Sequence, residues 1–269
     1  MCCSFIGCFR SFIYQPTALT QKDIDPLLLM DHRWTLETVS RSQDVNLVGL
    51  IAKPHPDKDV KPIWVLFFGG NSMNLAQLQA VLSKLDETKH WGFATFAYRG
   101  YDLSTGTPTQ ADLWADANFL VEHLVDRHGV VIEHLFIMGY SLGTGIASHV
   151  AYELGQSSRP PAGLILLAPY TSMAQIFDDH LPLIPIGWSV ADPYETEEFI
   201  ADIKSPVLIL HGSNDTLISI EHSQTLARLL GPKATFIPLP KYAHNNIFRT
   251  GAPTIAHIHQ FIASCIPDS

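Results

Sequence analysis

Val130-Val131-Ile132-Glu133-His134-Leu135-Phe136-Ile137-Met138-Gly139-Tyr140-Ser141-Leu142-Gly143-Thr144-Gly145-Ile146-Ala147-Ser148-His149-Val150 is the stretch that decides how the chain is read. A largely apolar run ends at Gly139, and Ser141 and Gly143 follow at two-residue steps. A helical segment of small residues comes next. The pattern is Gly-x-Ser-x-Gly at a strand-to-helix turn. A serine hydroxyl is a weak nucleophile until it is lifted clear of a sheet and set beside a base. A sharp turn does the lifting and forces backbone against backbone, which suits glycine at 139 and 143. The helix after Ser141 points its N-terminal N–H groups at the reacting oxygen. Gly145 and Ala147 let that helix lie close to the strand. The pentapeptide alone is common; its setting makes Ser141 a candidate nucleophile.

Working outward, strands and helices alternate. Trp34 to Val39 and Val45 to Ile51 read as an opening antiparallel pair, followed by the Pro- and charge-rich turn Pro54 to Lys61. Pro62 to Phe68 is a continuous apolar run, as expected of a strand covered on both faces. It ends at Gly69-Gly70-Asn71-Ser72. Leu75, Leu78, Val81, Leu82 and Leu85 then repeat at helical spacing. Phe93 to Tyr98 is the next strand, and Leu113, Ala117, Leu120, Val121 and Leu124 form a helical stripe. Beyond the serine turn come strands at Ala162 to Pro169, Pro206 to Leu210 and Ala234 to Leu239. Helices are expected at Glu221 to Leu230 and near Ile255 to Cys265. Such alternation means an α/β fold: a mostly parallel, twisted sheet of about eight strands with helices on both faces. Ligands bind such sheets at the carboxyl ends of the strands.

Ser141 needs a base, and the base needs an acid to hold its tautomer. In sheets of this kind the chain order is Ser, then Asp or Glu, then His. Asp215 lies just past one strand end and His244 follows the next strand, so Ser141, Asp215 and His244 are the catalytic candidates. His211 precedes Asp215 and is expected to hydrogen-bond locally. His222, on a helix start, and His257 and His259, on the last helix, are expected to face solvent or neighbours. The oxyanion requires preorganised N–H donors; the candidates are the backbone N–H groups of Leu142 and Asn71.

Composition narrows the function classes. The chain has 269 residues, 46% hydrophobic and 16% charged, with a net charge of −9. That suits one large domain and excludes a disordered chain. Lys and Arg are scattered, so no nucleic-acid footprint exists. No apolar run approaches the length that spans a bilayer. The four cysteines are Cys2, Cys3, Cys8 and Cys265, a distribution that argues for a reducing, cytoplasmic setting without structural disulfides. Residues 1–20 form a Cys-rich apolar segment ahead of a domain at 30–266. Cys2, Cys3 and Cys8 are candidates for S-acylation, which would place the protein peripherally on a membrane; the competing reading is a tail packed on the domain. No metal-spaced His or Cys cluster and no nucleotide loop is present, so neither cofactor nor metal is expected.

Gly139-Tyr140-Ser141-Leu142-Gly143-Thr144-Gly145, Tyr98-Arg99-Gly100-Tyr101 with Gly106-Thr107-Pro108, and Pro206 through Asp215 resemble α/β-hydrolase-fold serine hydrolases. The resemblance covers about Trp34 to Ile262. It is nearest to the monoglyceride and lysophospholipid lipases and protein depalmitoylases of the α/β-hydrolase-domain group. It implies an acyl-enzyme on Ser141 and a small acyl-ester or acylated substrate. The depalmitoylases of that group also carry an N-terminal cysteine cluster. One departure stands out: the family's His-Gly-Asn oxyanion loop is here Gly69-Gly70-Asn71, without the anchoring bonds of the histidine. The fold's cap falls at about 170–204 and is short and apolar, with Phe177, Leu181, Leu183, Ile184 and Trp188. Leu183 and Trp188 are the candidate substrate-binding residues. A peptidase on this sheet would instead want an acid such as Asp178, Asp179 or Asp192 to hold a substrate amine. A non-catalytic binding protein is the remaining alternative.

Overall fold

The computed structural model describes residues 10–55, 62–85, 90–181 and 189–266. The sheet contains β1 (Trp34–Ser40), β2 (Asn46–Ala52), β3 (Trp64–Phe68), β4 (Gly92–Phe96), β5 (Leu135–Tyr140), β6 (Gly163–Leu167), β7 (Val207–Gly212) and β8 (Ala234–Leu239). Their order across the sheet is β1-β2-β4-β3-β5-β6-β7-β8. The β1–β2 and β2–β4 pairs are antiparallel. All other pairs are parallel. Strands β3 through β7 are buried along their whole length. Helices cover both of their faces, so continuous apolar runs replace alternation. The edge strand β1 mixes buried, intermediate and exposed positions instead.

The helices are α1 (Gln21–Met30), α2 (Leu75–Leu85), α3 (Gln110–His128), α4 (Leu142–Gln156), α5 (Met173–His180), α6 (Thr196–Phe199), α7 (Ile220–Leu230) and α8 (Thr254–Cys265). The predicted stripes of α2 and α3 are buried. Truncating one such leucine to alanine costs about 2–5 kcal/mol. The Thr109 hydroxyl caps α3 by accepting from the Asp112 N–H at 3.1 Å, and Gly129 ends it at φ +67°. Such a cap contributes about 1 kcal/mol.

Two local features differ from the sequence reading. The run before the serine turn is not all strand. Ile132–His134 make a single 3₁₀ turn, because polar Glu133 and His134 interrupt the apolar pattern, and β5 starts at Leu135. The second feature is α1 itself. Its signal was Thr20 followed by Asp23, whose carboxylate accepts from the Thr20 N–H at 2.8 Å, the return half of a capping box. Ile13, Tyr14 and Ile24 are buried, so the chain from residue 10 packs into the same core as the sheet. Among the described residues no helix is long and apolar enough to cross a membrane.

Candidate active site

The loops after β3, β5, β7 and β8 meet at the carboxyl rim of the sheet. Ser141 sits between β5 and α4 at φ +52°, ψ −122°. A non-glycine residue in that region costs about 1–3 kcal/mol and persists where its surroundings fix it. Here the Ser141 N–H donates to Leu167 O at 3.0 Å, and the Thr144 hydroxyl donates to Ser141 O at 2.6 Å. The turn also demands bare backbone on either side. A Cβ on Gly143 would lie 2.1 Å from Phe68 O, and one on Gly139 would lie 2.5 Å from Gly143 O.

Ser141, His244 and Asp215 come together. His244 Nε2 is 3.0 Å from Ser141 Oγ, and His244 Nδ1 is 2.7 Å from Asp215 Oδ2. The carboxylate accepts from Nδ1–H, which leaves Nε2 as the acceptor that faces the hydroxyl. Burial pushes the Asp215 carboxyl up. Hydrogen bonds from His211 and His244 and from the Ile218 backbone outweigh that, so it lies well below the usual carboxylate range. The Leu217 and Ile218 N–H groups both donate to Asp215 Oδ1 at 2.9 Å. The Asp215 side chain is 0% exposed and stays ionised. Tyr140 donates to His244 O at 2.9 Å and sets its ring 5.2 Å from the imidazole, positioning His244 from the residue beside Ser141.

His211 does bond locally, as its position predicted. Its Nε2–H donates to Ile218 O at 2.9 Å, and its Nδ1 accepts from Ser223 Oγ at 2.6 Å. The sequence reading missed that the same Nε2 lies 3.4 Å from Asp215 Oδ2. Strand alternation could have flagged it, since His211 lies in β7 only four residues before the acid. His222 is buried, its Nδ1 accepting from the Thr171 hydroxyl at 2.8 Å and its Nε2 facing Asp179 at 3.0 Å. His259 stacks on Trp91.

The Gly69-Gly70-Asn71 loop is held by anchors that lie far from it in sequence. Tyr98 donates to Gly69 O at 2.7 Å and Tyr101 donates to Asn71 O at 2.8 Å. Asp102 accepts from the Leu75 N–H at 2.8 Å at the start of α2. The Gln15 N–H donates to Tyr101 Oη at 2.9 Å. A Cβ at Gly69 would meet Leu78 Cδ2 at 2.4 Å, so a leucine fills the space that a side chain there would need. Asn71 and Leu142 both border the cavity that contains Ser141.

Two connected hollows open at Ser141. One, of about 360 Å³, is lined by Ile13, Tyr170, Met173, Ile176, Phe177 and Leu181, among others. The other, of about 780 Å³, is more polar and includes Gln15, Ser72, Gln77, Lys84, His244 and Asn245. Phe12, Asn71, Ser141 and Leu217 border both. Among the described residues no carboxylate lines either hollow. Asp192 is instead held by Arg10 at 2.7 Å and by the Gln110 N–H at 3.0 Å, and Asp178 and Asp179 border a separate depression beside His222. Leu183 and Trp188 lie outside the described residues, as do Cys2, Cys3 and Cys8. The described apolar wall comes from Met173, Ile176 and Phe177, an i, i+3, i+4 stripe on α5, and from Phe12 and Ile13 of the N-terminal segment. The sequence reading took residues 170–204 as an irregular apolar cap and missed α5, whose Met173, Ile176 and Phe177 spacing is the signal that could have found it; the N-terminal contribution lies far from the rest of the wall in sequence.

No protein-family model matches the chain. The chain is 32% identical over 237 residues to the uncharacterized protein Rv2307c of Mycobacterium tuberculosis, covering 88% of this chain and 80% of that one. It is 30% identical over 214 residues to the lysophosphatidylserine lipase ABHD12 of Danio rerio, covering 69% of this chain and 54% of that one. It spans about half of that lipase's length. Among solved structures, an alpha-beta hydrolase from Vibrio vulnificus superposes with a TM-score of 0.72 at 21% identity, covering 91% of this chain and 85% of that one.

Proposed function

Because the chain belongs to the α/β-hydrolase family, we propose that it is a serine hydrolase that cleaves carboxylic esters or thioesters of apolar acyl groups. The observation that carries the reading is the relay from Asp215 through His244 to Ser141 on the wall of an apolar hollow. In this mechanism Ser141 Oγ attacks the acyl carbonyl carbon as His244 Nε2 takes its proton. The developing oxyanion is met by the backbone N–H groups of Leu142 and Asn71, each worth about 3–4 kcal/mol of barrier. The carbonyl reforms, and the bond to the alcohol or thiol breaks as that group takes the proton from His244. Water then repeats the sequence on the acyl-enzyme and frees the acid.

The two hollows support an amphiphilic substrate. The acyl chain occupies the Met173, Ile176 and Phe177 side. The polar leaving group occupies the side that carries Lys84 and Asn245. The lysophosphatidylserine named in the Danio rerio relative has that division. A peptidase reading is not favoured, since the carboxylates it would need are turned to other partners. A fluorophosphonate probe is expected to label the wild type and to leave Ser141→Ala unlabelled; an unlabelled wild type would reduce the protein to a binding scaffold. With p-nitrophenyl esters of two to twelve carbons, Ile176→Trp is expected to shift preference toward the short chains. An unchanged profile rejects this acyl pocket.

We extend the proposal to the N-terminus. S-acyl chains on Cys2, Cys3 or Cys8 would hold the protein on a membrane, two chains being needed for stable anchoring. The exposed Phe12, Leu181 and Leu217 beside the cavity support this orientation. Hydroxylamine-sensitive lipid on these cysteines in protein from its native source is the expected result. Its absence removes the anchor and leaves the hydrolase reading intact.

A further inference from the structure

On the edge of the sheet, Glu37 of β1 reaches two imidazoles at the end of α3. His128 Nε2 lies 3.0 Å from Glu37 Oε2 and 3.3 Å from Oε1. His123 Nε2 contacts the same Oε1. The two rings are 5.8 Å apart between centroids. One donor atom from each residue lies within 4.8 Å of both others. Donors bound at about 2.0–2.2 Å to one tetrahedral ion stand about 3.3 Å apart, so small side-chain rotations bring these three to that spacing.

We propose that Glu37, His123 and His128 form a binding site for a divalent transition-metal ion, zinc foremost. Two imidazole nitrogens and one carboxylate suit zinc rather than calcium or magnesium, which prefer all-oxygen sites. The Glu37, His123 and His128 side chains are partly buried, at 25%, 13% and 6% exposure, which leaves room for a fourth, water ligand. The ion would clip the edge strand to the end of α3, a structural role independent of the hydrolase reading. Sequence spacing gives only half of this site. The histidines are five apart on the helix, and the carboxylate lies 86 residues from His123.

The test uses the full chain carrying His244→Ala, so that zinc at the catalytic imidazole does not contribute. Zinc is expected to bind one-to-one in calorimetry with a Kd below about 10 μM and to raise the melting midpoint by about 5 °C at a 100-fold excess over Kd. Glu37→Gln and His123→Asn, each placed on that chain, are expected to weaken binding at least tenfold while melting cooperatively without metal. Because Trp64 lies 6.1 Å from the His128 ring, copper(II) is expected to quench its fluorescence, and Trp64→Phe to remove that part of the quenching. Binding that is unchanged in both ligand variants, or absent at 100-fold that concentration, overturns the proposal.

Discussion

Two carboxylates in this protein each face two imidazoles, and the surroundings direct them to different chemistry. The Asp215 side chain is fully buried, accepts two backbone N–H groups on one oxygen, and faces His244 and His211 on the other. His211 spends both nitrogens on Ile218 and Ser223, whereas His244 spends one on the acid and turns the other to Ser141. The geometry therefore delivers one proton acceptor to one hydroxyl. Glu37 lies in a quarter-exposed position on an edge strand, and both of its imidazoles present the same nitrogen to it. Three donors converge there without a nucleophile among them, the arrangement of a cation site. Residue types alone do not separate proton relay from metal ligation. The third partner and the depth of burial do.

Substitutions sharpen this contrast. The largest expected effect is on the relay: Ser141→Ala or His244→Ala lowers kcat on a p-nitrophenyl ester by about 10⁶-fold, and combining them adds little, because the groups act as a unit. Glu37→Gln leaves the same rate within twofold, and a large loss there would break the division between the clusters. Asp215→Asn comes next, with about a 10⁴-fold loss in kcat, since the amide fixes the wrong tautomer of His244. His211→Asn is expected to cost about tenfold in kcat with little change in KM, through a misplaced Asp215, and a pH–rate profile would register the altered base. The smallest effect concerns His149, whose Nε2 stands 3.8 Å from Glu153 Oε1 one turn further along the helix. His149 stacks on Trp114 with centroids 3.9 Å apart, and burial pushes it down from 6.5 to about 4. The unfolded chain takes up this proton below about pH 6.5 and the native protein does not until about pH 4. Stability present above pH 6.5 is therefore lost as pH falls, by about 2 kcal/mol after discounting for partial exposure. Denaturant titrations from pH 7 to 4 are expected to show a flatter loss in His149→Phe.

How far the sequence reached can be argued residue by residue. The sheet was legible because β3 through β7 are covered on both faces, which writes each as an unbroken apolar run. The positions of Ser141, Asp215 and His244 were legible because each follows a strand end, and parallel topology gathers strand ends on one rim. The anchoring of the Gly69-Gly70-Asn71 loop was not. Tyr98, Tyr101 and Asp102 lie about 30 residues from the carbonyls and amides they hold, and no periodicity links them. Their bonds supply the fixation that Gly69 lacks as a side chain, so the missing histidine marks a different bracing of the loop. The pairing of Glu37 with His123 and His128 was hidden for the same reason, as a contact from a sheet edge to a helix end leaves no local spacing to read.

The start of the chain has a consequence of its own. Arg10 is pinned to Asp192, Tyr14 meets Tyr194 at 3.0 Å, and Phe12, 61% exposed, stands beside Ser141's hollow. A protease nick after residue 14 would strip Phe12 and Ile13 from the wall of that hollow and remove the buried Ile13 and Tyr14 from the core. Shortened forms would then lose stability and reshape the hollow together, so trimming here acts on the fold and on what the cavity admits at once.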